Sequence, residues 1–352
     1  MMLNVVKVFL PTALTFFIGL GITPILTHYF YKHRMWKKRS RSEQVKSEEF
    51  KKIHNEKGEL NTPRVGGLVI WISVALTMAL LFWVARLFPS NYLSVKLNFL
   101  SRNQTLIPLA SLLAAALIGL VDDLLQISGR GSYAEDHLKY RWIKVAAIVI
   151  IGLLIGWWFF SALGVTSIEI PFGGRLELGW LFVPFFILVL LGVFSSSVID
   201  GIDGLAGGVM ASIFAAYTTV AFFNNQIDLA AFSAALTGAI LVFLWFNIPP
   251  ARFYMGETGM LALTVTLTVI AFLTDSVLLL PIIALPLVAT SLSVIIQIAS
   301  KKWRHGRKVF LVAPLHHHFE AMGWPTYKVA MRYWVISSIA AIIGLIMVLI
   351  SR

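Results

Sequence analysis

Five carboxylates in this chain stand where an ionisable group is expensive to keep. Of seventeen acidic residues, Asp122, Asp123, Asp200, Asp203 and Glu257 fall at the ends of long apolar runs. A charge beside hydrocarbon is costly and is usually retained for pairing or for function. Headgroup water could solvate any one of them, but five gathered on one side are harder to explain that way. Acids so clustered can hold a hard cation, or orient and accept a proton.

The motifs around them suggest how the work is divided. In LIGLVDDLLQ, Asp122 and Asp123 follow an apolar span, and adjacent helical residues project about 100° apart. One of the pair can therefore face a metal or nucleophile while the other supports it. In SSSVIDGIDGLAGG, Asp200 and Asp203 would share a face if the segment is helical, and the surrounding glycines permit close approach of backbone to a ligand or to another helix. WFNIPPARFYMGETGM offers the Asn247 amide, the Tyr254 ring for stacking on a nucleobase, and Glu257 as an oxygen ligand for a hard cation. APLHHHFEAMGWP places His316, His317 and His318 in one loop after a basic stretch. Zinc is the rival reading there, but consecutive histidines lack the usual ligand spacing and the chain has no cysteine. Imidazoles can instead donate hydrogen bonds to a pyrophosphate.

These residues need elements to position them, and composition says what kind. Hydrophobic residues make up 58% of the chain and charged residues 13%, far from the balance of a soluble domain. About ten apolar stretches recur, most of them long enough to span a hydrocarbon core of about 30 Å as helices. They fall at 3–31, 68–88, 106–121, 143–163, 179–198, 205–223, 229–246, 260–273, 277–299 and 331–350, with Pro281 and Pro286 interrupting the ninth. The expectation is an all-α polytopic membrane protein, a single domain over 1–352. The formal charge of +12 fits topology signals and anionic lipid headgroups better than nucleic acid.

Residues 32–57 carry ten Lys or Arg, which puts that connection in the cytoplasm. With ten spans both termini lie outside, and all five carboxylates fall at cytoplasmic ends. On the opposite side, 167–170 and 175–178 alternate around Gly173 and Gly174, the pattern of a short extracytoplasmic β-hairpin.

Taken together, TPRVGG at 62–67, the DD pair, DGIDGLAGG, NIPPARFYMGETG and APLHHHFE followed by GWP make the chain resemble the phospho-N-acetylmuramoyl-pentapeptide transferase family, within the polyprenyl-phosphate N-acetylhexosamine-1-phosphate transferases. The resemblance runs from about 62 to 332. It implies a ten-helix fold, UDP-N-acetylmuramoyl-pentapeptide as donor, undecaprenyl phosphate as acceptor, Mg2+ as cofactor, and lipid I plus UMP as products at the cytoplasmic face of a bacterial inner membrane. Membrane lipids are then the surroundings, nucleic acid is no partner, and a homodimer stays open. Residue by residue, it implies catalytic roles for Asp122, Asp123 and Asp200, metal binding by Glu257, and substrate binding by Asp203, Asn247, Tyr254, Gln297, His316, His317 and His318. The chain departs from the family pattern at five positions. Glu257 replaces an aspartate, Met260 a serine, Ser197 an asparagine, Gln126 a lysine and Arg64 a threonine.

The reaction so implied brings two phosphates together, so repulsion must be reduced while an in-line attack is oriented. Direct attack by the polyprenyl phosphate is favoured over a covalent aspartyl-phosphate route. Two other readings remain, transfer of another UDP-amino sugar such as UDP-N-acetylglucosamine, and an ion-coupled transporter. A transporter would place its acids near mid-membrane rather than at one face.

Overall fold

A computed structural model of the chain describes residues 2–38, 48–53, 56–100, 104–129 and 137–351; residues 39–47, much of the basic connection, and residues 130–136 lie outside them. The long helices are α1 (Met2–Lys32), α2 (Gly67–Leu87), α3 (Leu106–Ile127), α4 (His137–Ala162), α5 (Phe182–Ser195), α6 (Leu205–Phe223), α7 (Ile227–Asn247), α8 (Gly256–Leu273) and α9 (Leu285–Trp303), then the short α10 (Leu315–Ala321) and the long α11 (Thr326–Ile350). Among the described residues nine helices are long and apolar enough to cross a membrane, or ten if the bent pair Val277–Ile283 and Leu285–Trp303 counts as one span. The protein is thus an all-α polytopic membrane protein.

The bent pair is the interrupted ninth stretch, and its halves meet at 84°. Pro281 and Pro286 each start a helical piece, at Leu280–Ile283 and at α9. A proline lacks the N–H that would continue the ladder and its ring crowds the carbonyl four residues back, so the helix restarts rather than bends smoothly.

Three helices form the centre. In the most apolar window of α8, 89% of residues are buried, against 72% for α6, 78% for α7 and 28% for α1. α8 packs on α2, α3 and α5, while α7 packs on α1, α2 and α6. Inside α8, Thr264, Thr266 and Thr268 donate their hydroxyls to carbonyls four residues back, so these polar side chains sit satisfied in an apolar interior. At Gly119 of α3 a Cβ would strike the Glu257 backbone. That glycine lets α3 and α8 close to backbone contact at the end where the acids lie.

Several helix ends move relative to the sequence reading. α3 continues six residues past 121, so Asp122 and Asp123 lie within the helix. α8 starts at Gly256, making the GETG motif its first turn. The 200–204 segment is a turn after the 3-10 helix Ser196–Ile199, not a helix. At the other end of the bundle, β1 (Ser167–Ile170) pairs antiparallel with β2 (Gly174–Glu177), Ile170 opposite Gly174. Arg175 Nη2 reaches Asp275 Oδ2 at 2.7 Å and Glu169 N donates to Asp275 Oδ1 at 3.3 Å, tying the hairpin to the turn after α8.

Candidate active site

The start of α8 organises the site. The first N–H groups of a helix have no partner within it and carry the positive end of its dipole. Here carboxylates from two other segments accept them. Asp200 Oδ2 accepts from Gly256 N at 3.2 Å, Asp123 Oδ1 from Glu257 N at 3.1 Å, and Asp123 Oδ2 from Thr258 N at 2.8 Å and Thr258 Oγ1 at 2.7 Å. Gly256 has φ +67°, and a Cβ on it would strike Arg64 O and Asp123 Oδ2. Only glycine lets the chain turn into the helix this close to the carboxylates.

One residue earlier on α3, Asp122 faces a different partner. Lys144 of α4 donates from Nζ to Asp122 Oδ2 at 3.2 Å and to Glu257 Oε1 at 2.9 Å. Gln126 adds a bond from Nε2 to Asp122 Oδ2 at 2.8 Å. The roughly 100° between adjacent residues thus sends Asp123 into the α8 start and Asp122 to the lysine. The sequence analysis assigns Lys144 no role, because its partners lie 22 and 113 positions away.

Beside this cluster opens a cavity of about 160 Å³, lined by Asp200, Asp203, Asn247, Tyr254 and His317 together with Arg64, Glu59 and Glu320. Asp200 and Asp203 reach it from a turn rather than from one helical face. Asp203 Oδ2 accepts from Ala251 N at 3.2 Å. Burial raises the Asp203 pKa, Glu320 nearby raises it further, and the Ala251 N–H opposes both. Asn247 braces the frame: its Oδ1 accepts from Gly204 N at 2.9 Å and its Nδ2 donates to Phe253 O at 2.8 Å. It joins the 200–204 turn to the 249–255 loop. Tyr254 is held by backbone bonds, its N–H to Pro63 O at 2.8 Å and its carbonyl from Gly66 N at 2.9 Å. Burial, with Asp203 in support, pushes its phenol up to about 12, so it enters chemistry as a neutral ring and donor.

The histidines divide. The His316 ring is fully buried and contacts the His317 ring at 4.3 Å. Both lie against Gly201, where a Cβ would strike His316 Nε2 and come within 3.0 Å of His317 Nε2. His317 Nδ1 pairs with Glu320 Oε2 at 2.6 Å, an arrangement that fixes the ring and its tautomer. His318 points away from the cavity, its Nδ1 accepting from Leu311 N at 3.2 Å. Three consecutive residues on α10 cannot face one site. Gln297 also lies apart. Its Oε1 accepts from Val309 N and Phe310 N at 3.0 Å and its Nε2 donates to Phe310 O at 2.8 Å, bracing the loop before the histidines.

For a divalent cation, the protein supplies part of a donor set. Among the described residues no group of three or more His, Asp or Glu could hold a metal ion. Glu257 Oε2, however, is a buried oxygen with no hydrogen-bond partner, and Asp122 lies across the shared lysine. Magnesium usually takes one or two carboxylates and completes its shell with water and substrate phosphates. The residues fit a cation bound in that way and do not fit a closed protein cage.

A many-spanned helical bundle with carboxylates mounted on one helix start defines a membrane-embedded transferase site, and residues 105–275 match Glycosyl transferase family 4. That match contains the acids, Asn247 and Tyr254, and leaves out Arg64, Gln297 and the histidines. The chain is 37% identical over 303 residues to the phospho-N-acetylmuramoyl-pentapeptide-transferase of Shouchella clausii, covering 84% of this chain and 86% of that one. It is 34% identical over 337 residues to the enzyme of that name from Thermoanaerobacter pseudethanolicus, covering 95% and 96%. The one from Chloroflexus aurantiacus is 32% identical over 305 residues, covering 83% and 78%. The chain belongs to the phospho-N-acetylmuramoyl-pentapeptide-transferase family.

Proposed function

We propose that this enzyme transfers phospho-N-acetylmuramoyl-pentapeptide from its UDP-linked donor to undecaprenyl phosphate, forming lipid I and UMP in peptidoglycan synthesis. Family membership supports the donor and the lipid carrier. The observation that carries the chemistry is the first turn of α8, where Asp123 and Asp200 accept its amides and Lys144 joins its Glu257 to Asp122.

An oxygen of the polyprenyl phosphate attacks the sugar-bearing phosphorus, the diphosphate P–O bond breaks, and UMP leaves with the electron pair. Asp122 orients or deprotonates the incoming phosphate, while Asp123 and Asp200 hold the α8 start in place. Asp203 and Tyr254 take the uridine, and His317 faces the diphosphate with the buried His316 ring packed against it. The cavity is smaller than the roughly 300–1,000 Å³ of an ordinary ligand pocket, so it takes one end of a large donor. Glu257, with Asp122 beside it, would hold magnesium, which supplies positive charge between the approaching phosphates. For the acceptor chain, an apolar groove of about 390 Å³ runs between α5 and the bent pair, from Leu278 to Ser196. It ends just before the Asp200 turn.

All of these groups lie at one end of the bundle, which weighs against a mid-membrane transport site. We assign that end to the cytoplasmic face of a bacterial inner membrane, from the Lys and Arg of 32–57. UMP release from purified protein given donor, undecaprenyl phosphate and magnesium tests the activity; release with UDP-N-acetylglucosamine but not with the muramoyl donor would sink the donor assignment. In sealed vesicles, only those exposing the His317 loop should consume added donor. Equal turnover by both vesicle orientations would defeat the sidedness.

A further inference from the structure

The cavity beside α8 has a charge imbalance that the roles above do not resolve. Four carboxylates line it, Glu59, Asp200, Asp203 and Glu320, whereas the substrate end it would take is itself anionic. Lys37 Nζ lies 2.7 Å from Glu59 Oε1 and His317 Nδ1 lies 2.6 Å from Glu320 Oε2, so two of the four have a partner of their own. Among the described lining residues, Arg64 is the one lysine or arginine.

Arg64 is placed by backbone. Its N–H donates to Met35 O at 3.0 Å, and flanking bonds from Tyr254 N to Pro63 O and from Gly66 N to Tyr254 O lay the 63–66 segment along the Tyr254 loop. Only 7% of the residue is exposed. The Nε atom is buried with no hydrogen-bond partner, and Asp123 Oδ1 is 3.9 Å from it, too far for a hydrogen bond. Both Asp123 oxygens are already committed to α8. A buried guanidinium N–H left without a hydrogen bond is expensive, the Asp123 ion pair does not satisfy it, and a guanidinium presents a rigid fork of donors matched to phosphate oxygens.

The geometry points to Arg64 as the residue that receives a phosphate oxygen of substrate in this cavity, a contact particular to a chain with arginine at this position. The inference rests on the transferase reading. The oxygen can come from the donor diphosphate or from the polyprenyl phosphate, and direct binding separates the two.

Arg64→Met removes the charge and keeps much of the length; Arg64→Lys keeps the charge without the fork. Variants whose detergent melting matches the wild type are titrated with uridine, UDP and a short-chain polyprenyl phosphate. If the donor supplies the oxygen, Arg64→Met weakens UDP about ten- to hundredfold, the scale of one charge-assisted hydrogen bond, and leaves uridine unchanged. If the acceptor supplies it, the polyprenyl phosphate weakens instead. Arg64→Lys shows a smaller loss at the same ligand, and carries the comparison alone should Arg64→Met not fold. Unchanged affinity for both phosphates, or equal weakening of uridine and UDP, would overturn the assignment. A wild type that binds UDP through Arg64 yet releases no UMP would count against the transferase reading and not against this one.

Discussion

Glu257→Gln is expected to lower magnesium-dependent UMP release by about 10²–10³-fold, the usual scale for losing one group that stabilises charge in a transition state. Two losses combine. The amide keeps the shape but weakens the contact at Oε1, where Lys144 Nζ lies 2.9 Å away, and it removes the charge behind the buried, unpartnered Oε2. The magnesium requirement should rise with it. Glu257→Asp separates the causes, because one methylene fewer draws the carboxylate back by about 1.5 Å. The Lys144 contact would then break, so an aspartate variant is expected to be impaired even though it restores the residue of the resembled family. Wild-type turnover and metal dependence in Glu257→Gln would remove Glu257 from the metal site. An aspartate variant as active as wild type would instead show that the lysine contact is dispensable.

Asp123→Ala should damage the fold as much as the chemistry. Three donors of the first turn of α8 lose their acceptor at once, and Arg64 loses its one ion-pair partner among the described residues. Deleting one member of such a buried charged arrangement costs about 3–5 kcal/mol. That corresponds to a fall in detergent melting temperature on the order of 10 °C, with turnover lost alongside. The neighbouring Asp122→Asn keeps its size and lies at the lysine instead, so it should lose turnover while melting like the wild type. If Asp123→Ala melts normally, the α8 start does not depend on this carboxylate.

The spans were legible because length and apolarity alone define them, and Pro281 and Pro286 marked a helix that breaks. The local placement of Asp200, Asp203 and Tyr254 at a single end was also readable, since each sits beside the boundary of an apolar run. Which of two adjacent aspartates turns toward α8 was not, because the helical period gives their relative angle and not the direction of the neighbouring helix. Lys144 and Arg64 escaped for the same reason. Their partners come from distant segments, and nothing near them in sequence marks the pairing. Gln297 and His318 were grouped with the substrate contacts by motif, and the tertiary hydrogen bonds that tie both to the loop at 309–311 were not legible. The turn at 200–204 is a local departure of a similar kind. Asn247, 43 residues further on, holds it through Gly204 N.

The borrowed acceptors at the start of α8 have a consequence for motion. In most helices the first-turn amides fray and exchange their hydrogens with water quickly, because nothing in the helix receives them. Gly256, Glu257 and Thr258 instead donate to side chains carried by α3 and by the 200–204 turn, at the end of the most buried helix of the bundle. Their protons can leave only when α3, α8 and that turn separate together, so their exchange rates report cooperative opening of the bundle rather than local fraying. Deuterium uptake at 256–258 as slow as at mid-helix positions would mark a site with no independent breathing of its own, and fast uptake there would contradict it.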